Sequence, residues 1–176
     1  MISEPEFQAL SIQGYNRIPL MAQAFADLET PLSLYLKLAG RKSQNSFLLE
    51  SVVGGERFGR YSFIGLPART WLRASGFGAD AKTEVVTDGM VVETAHGNPL
   101  DFIANYQKRF KVAVRPGMPR FCGGLAGYFG YDAVRYIEKK LEKTFPPDEL
   151  GCPDILLLQC EELKKKKKSI GDVQEM

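Results

Sequence analysis

The chain reads as an α+β protein, with mostly antiparallel sheets flanked by a few helices. Three observations predict this class. Asp88-Gly89 lies between the β-branched runs Glu84–Thr87 and Met90–Thr94, the strongest short hairpin signal in the sequence. Leu32, Tyr35, Leu36 and Ala39 recur at helical spacing within PLSLYLKLA. Ile155–Leu158 opens DILLLQCEEL as an apolar run of strand length.

Taken in order, residues 1–16 read as an extended, polar lead-in. Residues 31–39 form a helix, with Thr30 as its N-cap, Pro31 in the first turn and Gly40 at its end. Residues 46–50 read as a strand closed by the Gly54-Gly55 turn. YSFIG (61–65) and TWLRASG (70–76) follow as strands rich in aromatic and β-branched residues. After the hairpin, Asn98-Pro99 opens a helix over PLDFIANYQKRF. Leu100, Ile103, Ala104 and Phe110 lie near one of its faces, and basic residues crowd its C-terminus. Arg115–Pro119 is a rigid loop.

Residues 121–131 are a glycine-dense, aromatic strand candidate. Glycine weakens an isolated strand, so this density points to close backbone approach or a bulge. AVRYIEKKLEK continues as a short amphipathic helix that stops before Pro146-Pro147, and the DILLLQCEEL strand follows.

Composition narrows the function. A chain of 176 residues suits one domain with a real core, and 44% hydrophobic with 25% charged residues is globular. A net charge of +2 supplies no whole-molecule field for nucleic acid or a membrane, so neither is an expected partner. No apolar run approaches the ~20 residues of a membrane helix. MISEPEFQAL has no basic segment leading into an apolar one, which argues against secretion. Cys122, Cys152 and Cys160 lack CxxC spacing and read as reduced cytoplasmic thiols. His96 is the only histidine, which excludes a His-based triad or a multi-histidine metal centre.

The candidate site residues cluster after the first strand. A carboxylate and a hydroxyl side by side, Glu50 and Ser51, can hold the ammonium of a small zwitterion. Strand alternation places Leu49 with Ser51 on one face and Leu48 with Glu50 on the other. By residue type alone the pair serves a ligand or simply ends a strand. Arg57 and Arg60 bracket Phe58-Gly59, either to meet an amino-acid carboxylate or partner surface or as a solvated turn. The glycines of GGLAGYFGYD lack the lysine of a Walker loop and the strand–helix setting of a dinucleotide loop, so they read as packing. Asp132, Glu138 and Glu142, interleaved with lysines, read as solvated pairing. No nucleophile–base–orienter set is present, which points to a binding domain.

Several segments, in order, resemble the N-terminal domain of anthranilate synthase component I, a chorismate-utilising enzyme. They are PLSLYLKL, SFLLES, GRYSFIG, NPLDFI, FCGGLAGYFGYDAVRYIE and PDILLLQCEEL, covering residues 17–163. GYFGYDAVRYIE is the most specific and Leu48-Leu49-Glu50-Ser51 the second. The resemblance implies a cytoplasmic large subunit that converts chorismate to anthranilate in tryptophan biosynthesis. Such a subunit uses Mg²⁺ and ammonia from a glutamine amidotransferase partner, and L-tryptophan bound to its N-terminal domain inhibits it. The implied tryptophan contacts are Ser51, Glu50 beside it, Leu49 in the wall and Arg60. Aminodeoxychorismate synthase component I shares the scaffold and is an alternative, as is a stand-alone tryptophan-sensing or partner-docking module.

The resemblance ends at KKKKKSIGDVQEM. Five consecutive lysines oppose a packed strand and read as a solvated, divergent tail over 164–176, as a frame interrupted at a lysine-codon run would produce. On that expectation residues 1–163 are the regulatory domain, and the chorismate-binding domain with its Mg²⁺ carboxylates lies beyond them. The chain alone is then inactive and holds no Mg²⁺. An unpaired strand near 155–163 and an exposed domain interface would drive self-association.

Overall fold

In the computed structural model, residues 2–40, 44–50, 61–141 and 149–167 are described. The helices are α1 (Glu4–Ile12), α2 (Pro31–Ala39) and α3 (Pro99–Gln107). The strands are β1 (Phe47–Glu50), β2 (Tyr61–Gly65), β3 (Thr70–Ser75), β4 (Lys82–Thr87), β5 (Met90–His96), β6 (Gly124–Phe129), β7 (Ile155–Cys160) and β8 (Leu163–Lys167). The fold is α+β. The chain divides into two compact units, Met1–Gln23 with Arg69–Gln159, and Ala24–Ala68 with Cys160–Met176. No helix among the described residues is long and apolar enough to cross a membrane.

In the first unit, Asp88 (φ +51°) and Gly89 (φ +82°) reverse the chain between β4 and β5, with Thr87 opposite Met90. Positive φ at both central residues is the two-residue turn whose twist matches a hairpin. A five-stranded sheet grows from this hairpin in the order β5-β4-β3-β7-β6. Its buried face is set by register. Leu72 of β3 lies opposite Val85 and Leu157, and Ala74 opposite Thr83 and Ile155. Ile103 and Tyr106 of α3 join this cluster. Each fully buried large aliphatic side chain is worth about 1.5–3 kcal/mol. Tyr106 carries a hydroxyl into the core and satisfies it by donating to Gln159 Oε1 at 2.8 Å.

Helix α3 begins as its sequence predicts. The Asn98 side chain accepts from the Leu100 N–H at 2.9 Å, and Pro99 occupies the first turn. Its buried stripe is Pro99, Ile103 and Tyr106, whereas Ala104, expected on that face, is exposed. The helix ends at Gln107, and Phe110 still packs against the core from the turn beyond. Arg109 grips Glu93 of β5 with two hydrogen bonds of 2.6 and 2.7 Å and lies 4.8 Å over the Tyr106 ring.

Two expectations in this unit are corrected. The lead-in over 1–16 is not extended, because Glu4–Ile12 is helical. Ser3 caps it by accepting from the Glu6 N–H, with Pro5 in the first turn. None of its residues is buried, so no apolar stripe announces it. The amphipathic α-helix expected over residues 133–143 is, within the described residues, two tighter 3-10 turns, Tyr131–Tyr136 and Lys139–Leu141, and Glu142 and Lys143 lie outside them. Arg135 is tied to Asp132, three residues back, at 2.8 Å, and Tyr136 donates to Asp154 Oδ2 at 3.1 Å. Pro146-Pro147 lies outside the described residues.

The glycine-dense strand is β6, as expected, and close approach explains Gly127. A Cβ on Gly127 would stand 1.9 Å from the Leu156 carbonyl oxygen. The Gly130 N–H donates to the Asp154 carbonyl at 2.7 Å. Strand β7 therefore runs between β3 and β6, and the expectation of an unpaired strand near 155–163 is not met. Ile155, Leu157 and Leu158 are buried there.

In the second unit, α2 opens with a reciprocal cap. The Ser33 N–H donates to Thr30 Oγ1 at 3.0 Å, and the Thr30 N–H donates to Ser33 Oγ at 2.9 Å. Gly40 ends the helix at φ +72°, where a Cβ is disfavoured. Of the residues read at helical spacing only Ala39 is buried, while Leu32 and Leu36 are 53% and 50% exposed. The sheet of this unit runs β1-β2-β8, antiparallel throughout.

Strand β8 corrects another expectation. Leu163–Lys167 does not leave the fold as a solvated tail. It pairs with β2 from Gly65↔Leu163 to Tyr61↔Lys167. The ladder is made by backbone groups, which lysines supply as well as any residue, and lysine is at home on a sheet edge. Lys165 Nζ also sits 3.6 Å from the Tyr61 ring centroid. Residues 168–176 lie outside the described residues.

Candidate functional site

The site read from the sequence falls on the second unit, at the end of β1. The β1–β2 register pairs Phe47 with Gly65, Leu48 with Ile64, Leu49 with Phe63 and Glu50 with Ser62. Opposed residues of an antiparallel pair share a face, and neighbours along a strand do not. Glu50 thus lies on the face of Leu48, Ser62 and Ile64, and Leu49 on the face of Phe47 and Phe63. Leu49 is 54% exposed and Glu50 is exposed, so both end the strand within reach of a solute. Gly65 carries no side chain where the Phe47 ring sits. A Cβ there would meet that ring at 2.1 Å. Ser51, Arg57 and Arg60 lie outside the described residues, as does the Gly54-Gly55 turn.

One neighbour of Glu50 was not singled out by the sequence reading. Ser62 is 0% exposed, and its Oγ has no hydrogen-bond partner. The available signal was alternation, since Ser62 has the parity of Ile64 in YSFIG and belongs on the inner face.

The other motifs serve packing. Asp132 is committed to Arg135. Asp154 and burial together push the Tyr136 hydroxyl's pKa well above the ordinary tyrosine range, burial being the larger cause. Glu84 lies between Lys82 and Arg73 on the five-stranded sheet, at 2.9 and 2.7 Å, and its carboxyl is held below the usual range by those two hydrogen bonds. Among the described residues, no group of three or more His, Cys, Asp and Glu side chains is placed to hold a metal ion.

No protein-family model matches the chain. Curated relatives do. The chain is 55% identical over 166 residues to anthranilate synthase component 1 of Neisseria meningitidis serogroup B, covering 93% of this chain and 33% of that protein. It is 52% identical over 158 residues to anthranilate synthase component 1 of Pseudomonas putida, covering 89% of this chain and 31% of the relative. With the same component of Acinetobacter calcoaceticus it shares 41% identity over 161 residues, covering 90% and 31%. These relatives do not favour the aminodeoxychorismate synthase alternative. The chain spans about a third of the length of the curated relatives it matches. By this similarity, it belongs to the anthranilate synthase component 1 family.

Proposed function

We propose that this chain is the regulatory part of an anthranilate synthase subunit. The whole subunit converts chorismate to anthranilate in the cytoplasm, with ammonia from a glutamine amidotransferase partner. In this reading L-tryptophan binds at the end of β1 and inhibits the subunit. Leu49 supplies an apolar wall, Glu50 meets the α-ammonium, Ser51 hydrogen-bonds the ligand, and Arg60 meets its carboxylate. The observation that carries the reading is the 55% identity over 93% of the chain. The strand end supports it physically, because Glu50, the last residue of β1, is an exposed carboxylate that can meet the ammonium of an amino acid.

Mg²⁺ belongs in this reading to the chemistry of the whole subunit. The described residues offer it no cluster of three or more His, Cys, Asp and Glu ligands, so none of them is assigned to it. Chorismate chemistry is assigned no residue here either, and the 176-residue chain by itself is expected to turn over no chorismate.

Calorimetric titration of the chain with L-tryptophan and D-tryptophan tests the ligand assignment. The expected result is binding of the L-enantiomer in preference to the D-enantiomer. Glu50→Gln should weaken that binding about tenfold, as expected for loss of one charge-assisted contact. Absence of heat with either enantiomer overturns the assignment of these residues to a ligand.

A further inference from the structure

Asp88 is the only aspartate or asparagine of the chain followed directly by glycine. The pair forms the β4–β5 turn, with φ +51° at Asp88 and +82° at Gly89, and both residues are exposed. A Cβ on Gly89 would meet nothing within 4 Å, so the turn is open around it. Glycine also puts no side chain between its own backbone nitrogen and the carboxyl one residue back.

Arg69, just before β3, holds Asp88 through side chain and main chain. Its Nε and Nη2 donate to Asp88 Oδ1 and Oδ2 at 2.9 and 2.6 Å, and its carbonyl accepts from the Asp88 N–H at 2.8 Å. The guanidinium holds the Asp88 carboxyl below the usual carboxylate range. An ionised carboxylate is a poor electrophile, and a two-point grip keeps this one from turning onto the next nitrogen.

We propose that Asp88-Gly89 is a covalent modification site, the place where this chain forms isoaspartate, with Arg69 the residue that restrains it. Once the Arg69 contacts open and the carboxyl takes a proton, the Gly89 nitrogen attacks Asp88 Cγ. An N–Cγ bond forms and a Cγ–O bond breaks. Water leaves, made from the carboxyl hydroxyl and the amide proton, and a five-membered succinimide remains. Water then adds at the main-chain carbonyl of the ring and breaks the original Asp88–Gly89 peptide bond. The chain now runs through Cγ, and the α-carboxyl is free. The water lost is regained, so the net change is an isomerisation that consumes no other reactant. The new linkage carries one more backbone atom inside the turn that seats Thr87 opposite Met90. Strand β5 is the last of its sheet and pairs with β4 there, so it is the strand that loosens first.

The test is prolonged incubation of the full chain at neutral pH, then proteolysis and chromatography that separates isoaspartyl from aspartyl peptides. Wild type is expected to accumulate isoaspartate at Asp88 ahead of its other aspartates. Arg69→Ala should do so about fivefold faster, the upper range for an exposed ion pair. Arg69→Lys keeps the charge without the two-point grip and should fall between them. Thr87→Ala loosens the same hairpin by removing the 3.0 Å contact between the Thr70 and Thr87 hydroxyls, and it leaves Arg69 in place. Equal acceleration by Thr87→Ala and Arg69→Ala overturns the role of Arg69, as does an unchanged rate in Arg69→Ala. Absence of isoaspartate at Asp88 from every one of these proteins overturns the site itself.

Discussion

Gly127 of β6 lies so close to β7 that a Cβ there would stand 1.9 Å from the carbonyl oxygen of Leu156 and 2.9 Å from its carbonyl carbon. The obstacle is backbone in a strand hydrogen-bonded on both sides, which cannot swing away as a side chain would. Gly127→Ala is expected to destabilise the chain by about 2–3 kcal/mol, the upper range for overpacking. Urea denaturation measures it. A loss below about 0.5 kcal/mol would mean that β6 moves off β7 at little cost.

Thr83 of β4 is 1% exposed, with an unpartnered Oγ1, opposite Ala74 of β3 and Ala95 of β5. Valine has almost the same shape and no hydroxyl to leave unpaired. Thr83→Val is expected to raise stability by about 1 kcal/mol, because the buried polar group disappears without leaving a hole. Thermal and urea melts would read the gain. A drop would show that water reaches the hydroxyl in solution.

Glu84 gives the chain an acid-sensitive element. Hydrogen bonds from Lys82 and then Arg73 lower its carboxyl below the ordinary 4.5. A group that binds its proton less readily when folded stabilises the fold above its unfolded pKa, and loses that contribution as pH falls through the folded value. Glu93, held down by Arg109, acts in the same direction. Stability should therefore fall below about pH 4.5, and Glu84→Gln should flatten that limb. Its partners Arg73 and Lys82 are 46% and 39% exposed, so the contribution stays below about 1 kcal/mol. Urea midpoints between pH 3 and 7 would check the slope, and an unchanged acid limb in the variant would remove Glu84 from it.

By itself the sequence determined whatever depends on near neighbours. Thr30 and Asn98 announce helix starts because a cap is made with N–H groups two or three residues away. Asp88-Gly89 announces a hairpin because both residues accept positive φ without help from the rest of the chain. The order of short motifs also placed the chain with its relatives, and the identities bear that out. Helix α1 was equally local, through Ser3 and Pro5, but with nothing buried it offered no periodicity to read.

The tertiary structure decided what depends on partners distant in the chain. Lys164–Lys167 is a strand because β2 presents an open row of backbone groups, and a run of like charges gives no sign of that row. Tyr106, not Ala104, belongs to the buried stripe of α3, and its hydroxyl is satisfied by Gln159, 53 residues away. Residues 131–141 wind tightly rather than as an α-helix, with Tyr136 held by Asp154 across the fold. Glu50 faces Ser62 because of the register between two strands joined by residues 51–60. A register is chosen by the pairing of whole ladders and the burial of one face, so neither strand carries it alone.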